Sequence, residues 1–240
     1  MSQYIYGKNV VLSRLHSEGD IEELYLATSF NDERILQLSK KYPVKSLSVA
    51  ALTKLIRNDK HQGVVAKIKT YPFYPLEDLL QEVKAKTNPL LLVLDGIEDP
   101  HNMGAILRTC DAMNIDGVIV PKHGNVALNA TVARVSTGAI EHVKVAQATN
   151  LTNVLKKLKS AGFWAVGAEA DQSQDYRTLD YKMPVVLVVG SEGKGISRLV
   201  LESCVFKVHL PMLGHVNSLN VSVATAILLY HIHAARFPVL

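Results

Sequence analysis

Residues 185–230 read VVLVVGSEGKGISRLVLESCVFKVHLPMLGHVNSLNVSVATAILLY, and the fold turns on this stretch. An aliphatic run ends in the turn Gly190-Ser191-Glu192-Gly193-Lys194-Gly195. A short helix follows, then a second apolar strand closing at Leu210, a Pro-Met-Leu-Gly loop, and a long apolar helix opened by Asn217-Ser218-Leu219-Asn220. Two loops therefore leave the carboxyl ends of two buried strands, where open α/β sheets place their ligands. Glycines in such a turn let backbone N–H groups approach a ligand, because no side chain holds it off. The pattern implies a small-molecule pocket, although the turn alone reads equally as an ordinary strand-to-helix connection.

Two nucleotide-binding patterns do not fit. A phosphate-cradling P-loop needs a Ser or Thr after its lysine, whereas Lys194 is followed by Gly195. A dinucleotide fingerprint needs a glycine triplet after an early strand, whereas the strand at 90–94 runs into Asp95-Gly96-Ile97-Glu98-Asp99-Pro100-His101-Asn102.

Outward from this stretch, strands and helices alternate from Pro89. Strands are expected at 90–94, 117–120, 143–145, 163–168, 185–189 and 206–210, and helices at about 103–113, 129–136, 151–161, 197–203 and 220–236. Nearly continuous aliphatic strands interleaved with helices predict an α/β fold with a mostly parallel sheet covered on both faces. The last helix is apolar around most of its circumference, through Val221, Val223, Ala224, Ile227, Leu228 and Ile232. It needs cover on more than one side, and a second subunit is one way to supply it.

Residues 1–70 read as a smaller α/β unit, with strands at 4–6, 24–27, 44–47 and 64–68. Its helices span 8–16 and 49–56, with another capped by Asn31 or Asp32. This unit holds 11 Lys and Arg against 7 Asp and Glu, while residues 71–240 carry 15 of each, so the net charge of +4 lies in the small unit. A cationic face suits RNA, whose phosphates supply most sequence-independent affinity; the same excess also reads as solvated surface. Thr70-Tyr71-Pro72-Phe73-Tyr74-Pro75 predicts an extended, semi-rigid link, followed by an amphipathic helix over 76–86. The expected division is 1–70, a linker and connecting helix at 71–88, and a domain at 89–240.

At 240 residues, 48% hydrophobic and 20% charged, the chain reads as globular. Cys110 and Cys204 sit in apolar surroundings without C-x-x-C spacing, which implies a reducing compartment, two buried inert thiols and no metal site. No basic segment followed by an apolar run opens the chain, and the apolar run at 221–229 is too short to span a membrane. The expectation is a cytoplasmic enzyme without a membrane partner. His101, His123, His215, His231 and His233 have no visible nucleophile–base pairing and read as surface or interface histidines.

A second informative stretch is Asp99-Pro100-His101-Asn102-Met103-Gly104-Ala105-Ile106-Leu107-Arg108. Asn102 reads as a helix cap after Pro100, Gly104 permits close approach on the first turn, and Arg108 projects from the second. Taken singly these are a cap and a surface arginine.

Together with the two loops, this segment resembles the SPOUT superfamily of methyltransferases, in its SpoU branch of RNA ribose 2′-O-methyltransferases. Three motifs carry the resemblance: N-x-G-x-x-x-R at Asn102, Gly104 and Arg108; G-S-E-G-x-G at 190–195; and L-P-M-x-G with S-L-N-V-S across 210–222. It covers residues 89–236. The N-terminal unit, with Tyr6-Gly7 at its start and His61-Gln62-Gly63-Val64-Val65-Ala66 at its end, resembles the substrate-binding domain of bacterial 23S rRNA guanosine 2′-O-methyltransferases.

The resemblance implies a C-terminal trefoil knot, S-adenosylmethionine as methyl donor, an RNA substrate, rRNA first, and a homodimer that completes the active site. It implies cofactor contacts from the backbone of Gly190, Leu210 and Leu219, with Met212 and Ile196 along the adenine and Glu192, Gly193, Gly214 and Ser218 around them. The sulfonium methyl is already activated, so the chain must align a ribose 2′-hydroxyl and assist its deprotonation. The resemblance implies a base-like role for Arg108; a guanidinium is a poor base, and the role expected in its place is to hold a phosphate and stabilise alkoxide charge. Glu192 is expected to orient Arg108 or Asn102, and Asn102, Ser218 and Asn220 to hydrogen-bond around the hydroxyl. The alternatives are methylation of tRNA ribose and a non-catalytic RNA-binding or assembly protein.

Overall fold

The computed structural model describes residues 2–170 and 172–237. They fall into two compact units, the described residues of Met1–Pro72 with Ala127–His142, and those of Phe73–Val126 with Val143–Leu240. The outermost residues of the expected 1–70 and 89–240 segments, Met1 and 238–240, lie outside the described residues.

The first unit runs β1 (Gln3–Tyr6), α1 (Lys8–His16), β2 (Glu23–Ala27), α2 (Glu33–Ser39), β3 (Val44–Leu47), α3 (Val49–Ile56) and β4 (Val64–Ile68). Its sheet has the order β1-β4-β2-β3, with β4 antiparallel to both neighbours and β2 parallel to β3. Of the two candidate caps of α2, Asp32 is the one used, accepting from Ile35 N. Leu52 of α3 packs with Tyr25, Ala27 and Val65 on one face of the sheet.

The second unit begins with α4 (Leu76–Lys84), β5 (Leu90–Asp95), α5 (Pro100–Ala112) and β6 (Gly117–Pro121). The chain then returns to the first unit for α6 (Ala130–Val135) and a 3₁₀ turn at Ala139–Glu141. There the Glu141 carboxylate meets Arg14 of α1 at 3.0 Å, both side chains about 95% buried. Ser17 Oγ donates to the same oxygen, and the guanidinium lies 5.1 Å from the centre of the Tyr71 ring. Burial pushes the Tyr71 hydroxyl far above its ordinary range.

The rest of the second unit is β7 (Val145–Ala148), α7 (Leu151–Ser160), β8 (Trp164–Ala168), β9 (Gln174–Asp175), β10 (Val185–Gly190), α8 (Arg198–Glu202), β11 (Phe206–His209) and α9 (Val221–Arg236). Its seven strands are ordered β7-β6-β5-β10-β8-β11-β9 and every pairing is parallel. β5 and β10 lie at the centre, buried along their whole aliphatic run, which explains why they read as continuous hydrophobic segments rather than alternating ones. The loops that follow both strands therefore emerge at the same end of the sheet.

Four local readings need correction. Asn102 does not cap α5: the helix begins at Pro100, in its favoured N1 position, and Asp99 Oδ1 accepts from His101 N at 2.9 Å. Asn102 is thereby placed inside the first turn with its side chain free for other work. The strand expected at 143–145 lies at Val145–Ala148, in register with β6. The link before α4 is not free of sheet pairing, since Tyr74 N donates to Val145 O at 2.8 Å. Finally, Cys204 is only half-buried, not sequestered like Cys110.

Candidate active site

The site grows from Gly190, the last residue of β10. A Cβ there would lie 2.0 Å from the Gly195 carbonyl carbon and 2.2 Å from Ile196 N, so only hydrogen fits. Ser191 and Gly195 exchange backbone hydrogen bonds at 3.2 and 2.9 Å. Gly193 (φ +83°) and Gly195 (φ +64°) provide the left-handed conformations that close the turn.

The closed turn presents Glu192 to the start of α9. Its Oε1 accepts from Asn220 Nδ2 at 2.5 Å and from Val221 N at 3.3 Å. A carboxylate is favoured there because the first N–H groups of a helix lack partners within it. Asn220 Nδ2 also donates to Asn102 Oδ1 at 2.9 Å, while Asn220 Oδ1 caps α9 by accepting from Ser222 N at 2.9 Å. Both ends of the Asn220 amide are thus fixed, and three segments far apart in sequence are tied at one point. Asn102 Nδ2 is left with no protein acceptor among the described residues. Asp95, at the end of β5, accepts from Ser197 N at 2.8 Å and so anchors the residue that opens α8.

Two clefts flank this knot of hydrogen bonds. One is polar and is lined by Glu98, Asp99, Asn102, Glu192, Lys194 and Val221. The other is largely apolar, walled by Val208, Leu210, Met212, Leu219 and Leu228, with Glu169, His209 and Ser218 at its polar positions. Asn217, Ser218 and Leu219 line the apolar cleft and Val221 the polar one. A further cavity of about 480 Å³ lies between α4 and α7 and contains none of the expected site residues.

Of those residues, Leu210, Met212, Ser218 and Leu219 share the apolar cleft, and Asn102 and Glu192 share the polar one. Gly190 and Gly193 shape the turn. Ile196 is buried in the core with Val200 and Val186 and is not part of the cleft wall. Gly214 is exposed with open space around it. Arg108 is exposed on α5, six residues and about 9 Å of helix rise beyond Asn102, and makes no ion pair or hydrogen bond among the described residues. Glu169 and His209 were missed by the motifs. Glu169 directly follows β8 and His209 ends β11, so the strand-end rule that located the other loops also covers them.

The donor set fits the S-adenosylmethionine expected from the motifs. Aliphatic side chains and the Met212 thioether suit a purine, Glu169 is an acceptor for hydroxyls, and Ser218 is a further polar contact. Thiol chemistry has no support here, since burial pushes the Cys204 thiol up to about 12 and the Cys110 thiol still higher.

Comparison with known proteins gives two family matches. Residues 89–230 match the SpoU rRNA Methylase family, and residues 4–74 match the RNA 2′-O ribose methyltransferase substrate binding family. A Bacillus subtilis (strain 168) protein, YacO, whose name refers to the TrmH family of tRNA/rRNA methyltransferases, is 42% identical over 98% of this chain and 97% of its own length. The AdoMet-bound rRNA methyltransferase from Sinorhizobium meliloti has a TM-score of 0.83 at 26% identity, over 97% of this chain and 87% of that one. The TrmH/SpoU tRNA modifying enzyme of A. aeolicus has a TM-score of 0.58 at 32% identity, over 67% of this chain and 84% of its own.

Proposed function

Because the chain belongs to the SpoU rRNA methylase family, we propose that this S-adenosylmethionine-dependent RNA methyltransferase modifies the 2′-hydroxyl of a ribose in rRNA, a guanosine of 23S rRNA being the first candidate. The observation that carries the reading is the Asn102–Asn220–Glu192 bridge, set between an apolar cleft suited to the cofactor and a polar cleft open to a substrate. When bound, the cofactor supplies an electrophilic methyl group. Leu210, Met212 and Leu219 would hold its purine side, and Glu169 would accept from its hydroxyls.

The polar cleft receives the ribose. Asn102 Oδ1 is occupied by Asn220, which orients the free Asn102 Nδ2 as a donor to the 2′-oxygen while negative charge builds there. Glu192 holds Asn220 in place and keeps α9 capped against the turn, so the donor needs no reorganisation when the hydroxyl passes its proton to water in the open polar cleft. Arg108 lies apart from this bridge, and in this proposal it grips a phosphate within a pair of chains.

A homodimer is supported by α9, where Val223, Ile227 and Tyr230 form an exposed apolar stripe at i, i+4 and i+7. The C-terminal trefoil knot and a cytoplasmic location belong to the same proposal. Among the described residues no helix is long and apolar enough to cross a membrane. tRNA is the second reading, favoured by the match to a tRNA modifying enzyme over 67% of this chain. Incubating deproteinised rRNA and tRNA with methyl-labelled cofactor and mapping the labelled nucleotide decides between them. Label in 23S rRNA ribose supports the first reading, and label confined to tRNA replaces it with the second.

A further inference from the structure

The cationic excess of residues 1–70 is not evenly compensated over the first unit. At the sheet end where β2 and β3 begin, Lys41, Lys45 and Lys67 each meet a carboxylate, Glu18, Glu23 and Glu22, at 3.0, 2.5 and 3.2 Å, while Lys40 and Lys69 are exposed without an ion-pair partner among the described residues. Pairing is sparser at the opposite end. There the registers Tyr6↔Val65, Leu26↔Val64 and Ala27↔Leu47 bring residues 7–8, 28–32 and 57–63 side by side. Lys8 and Arg34 share the single carboxylate of Asp32, each at 3.6 Å. Lys54, Arg57 and Lys60 are exposed and have no ion-pair partner among the described residues, with Glu33 and Asp59 as the exposed carboxylates interspersed among the cations.

The backbone that carries these cations is pinned. His61 is buried, its Nδ1 accepts from Gly63 N at 3.0 Å, and its Nε2 lies 3.1 Å from Thr53 Oγ1. Asn58 Oδ1 accepts from Lys60 N at 2.8 Å, and Gln62 Oε1 accepts from Lys8 N at 2.8 Å, which joins the loop to the start of α1. The cations are therefore presented without a large ordering cost on binding. Phe30 lies half-buried between these loops, with Lys8 Nζ 5.5 Å from its ring centre. An aromatic face beside cations suits an unstacked base next to its phosphates. Complementing the carbonyl end of α3 would account for Lys54 and Arg57, but not for Lys60 or for the two cations sharing Asp32.

We infer that this loop end of the first unit is the surface that grips RNA, with Lys54, Arg57 and Lys60 on phosphates and Phe30 stacking a base. The inference rests on the assignment as an RNA methyltransferase and adds where the unit holds its substrate.

The test compares the full-length triple variant K54A/R57A/K60A with K40A/K41A/K69A, which removes the same charge from the opposite end, and with F30A. Binding of labelled 23S rRNA is measured over about 50–200 mM salt, and S-adenosylmethionine binding is measured by calorimetry. The loop-end variant should lose about 30-fold or more in RNA affinity. Its salt dependence should flatten by about two in log–log slope, at roughly 0.7 per lost single-strand phosphate contact. F30A should lose about tenfold. The opposite-end variant should stay within about threefold of wild type, and all should bind the cofactor normally. Equal losses for the two triple variants, or wild-type RNA binding by the loop-end variant, would overturn the inference. If the wild-type chain methylates RNA while the loop-end variant binds it normally, only this inference falls; absence of methyl transfer by wild type would strike the assignment beneath it.

Discussion

Gly190 and Asn220 carry the residue-scale account, for different reasons. At Gly190 any side chain would overlap the Gly195 carbonyl and the Ile196 amide, both backbone atoms that cannot swing aside. Gly190→Ala should cost at least about 2 kcal/mol and lower the melting temperature by roughly 5–10 °C. Calorimetry should also register weaker S-adenosylmethionine binding, and a variant with unchanged melting and unchanged affinity would contradict the geometry. Asn220 both caps α9 and donates to two acceptors. Asn220→Ser retains a good capping residue but cannot make both donations. Its melting temperature should therefore stay within about 3 °C of wild type while methyl transfer falls about 100-fold. Equal effects on stability and activity would reduce Asn220 to a cap. The motifs brought Asn102, Glu192 and Asn220 to one site, but not the link by which Asn220 joins the other two, because a cap and a cross-segment donor look the same in a linear sequence.

Helix α9 is the element on which most depends. Its buried side, Val221, Thr225, Leu228, Leu229 and Ile232, faces the second unit, while Val223, Ile227 and Tyr230 remain uncovered. If the uncovered stripe makes the proposed homodimer, Ile227→Glu should yield a monomer in analytical ultracentrifugation and abolish methyl transfer; an active monomer would refute a shared site. His231, on the same helix, lies edge-on to Tyr176 and Tyr181, with centroids at 4.7 and 5.5 Å. Burial lowers its pKa, opposed by the nearby Asp175 carboxylate and assisted by Arg177. The unfolded chain therefore binds the proton more readily, so this group removes stability as pH falls below about 6.5. Melting curves between about pH 5 and 7.5 should decline less steeply for His231→Gln than for wild type, and parallel declines would rule the group out. The sequence made the helix and its apolar excess plain. It did not reveal β9, because Gln174 and Asp175 give no aliphatic signal and the strand exists only through its pairing with β11.

At the scale of the molecule, the order of elements along the chain misleads about which segments pack together. Alternating aliphatic strands and helices sufficed to read the parallel sheet, and the glycine-rich turn located the site at its strand ends. Residues 127–142, however, lie inside the span of the methylase motifs and pack with the first unit, where Glu141 meets Arg14. A buried ion pair between segments more than a hundred residues apart leaves no periodic pattern to detect. Removing one partner strands the other charge, at a cost of about 3–5 kcal/mol, whereas an apolar replacement of both is tolerated. Glu141→Ala should therefore expose the first unit to proteolysis before the second, and Arg14→Met with Glu141→Leu should restore resistance. Equal sensitivity of wild type and Glu141→Ala would show the pair to be dispensable.

In the proposed reaction the bridge beside the two clefts directs a methyl group onto a ribose of RNA. The most direct test is to digest RNA labelled by the purified chain from methyl-labelled S-adenosylmethionine with alkali, since a 2′-O-methyl ribose blocks cleavage at its own phosphate. Label recovered in alkali-resistant dinucleotides, and lost with Asn220→Ser, is the predicted result. Label released as mononucleotides methylated on the base would exclude the ribose hydroxyl as the acceptor.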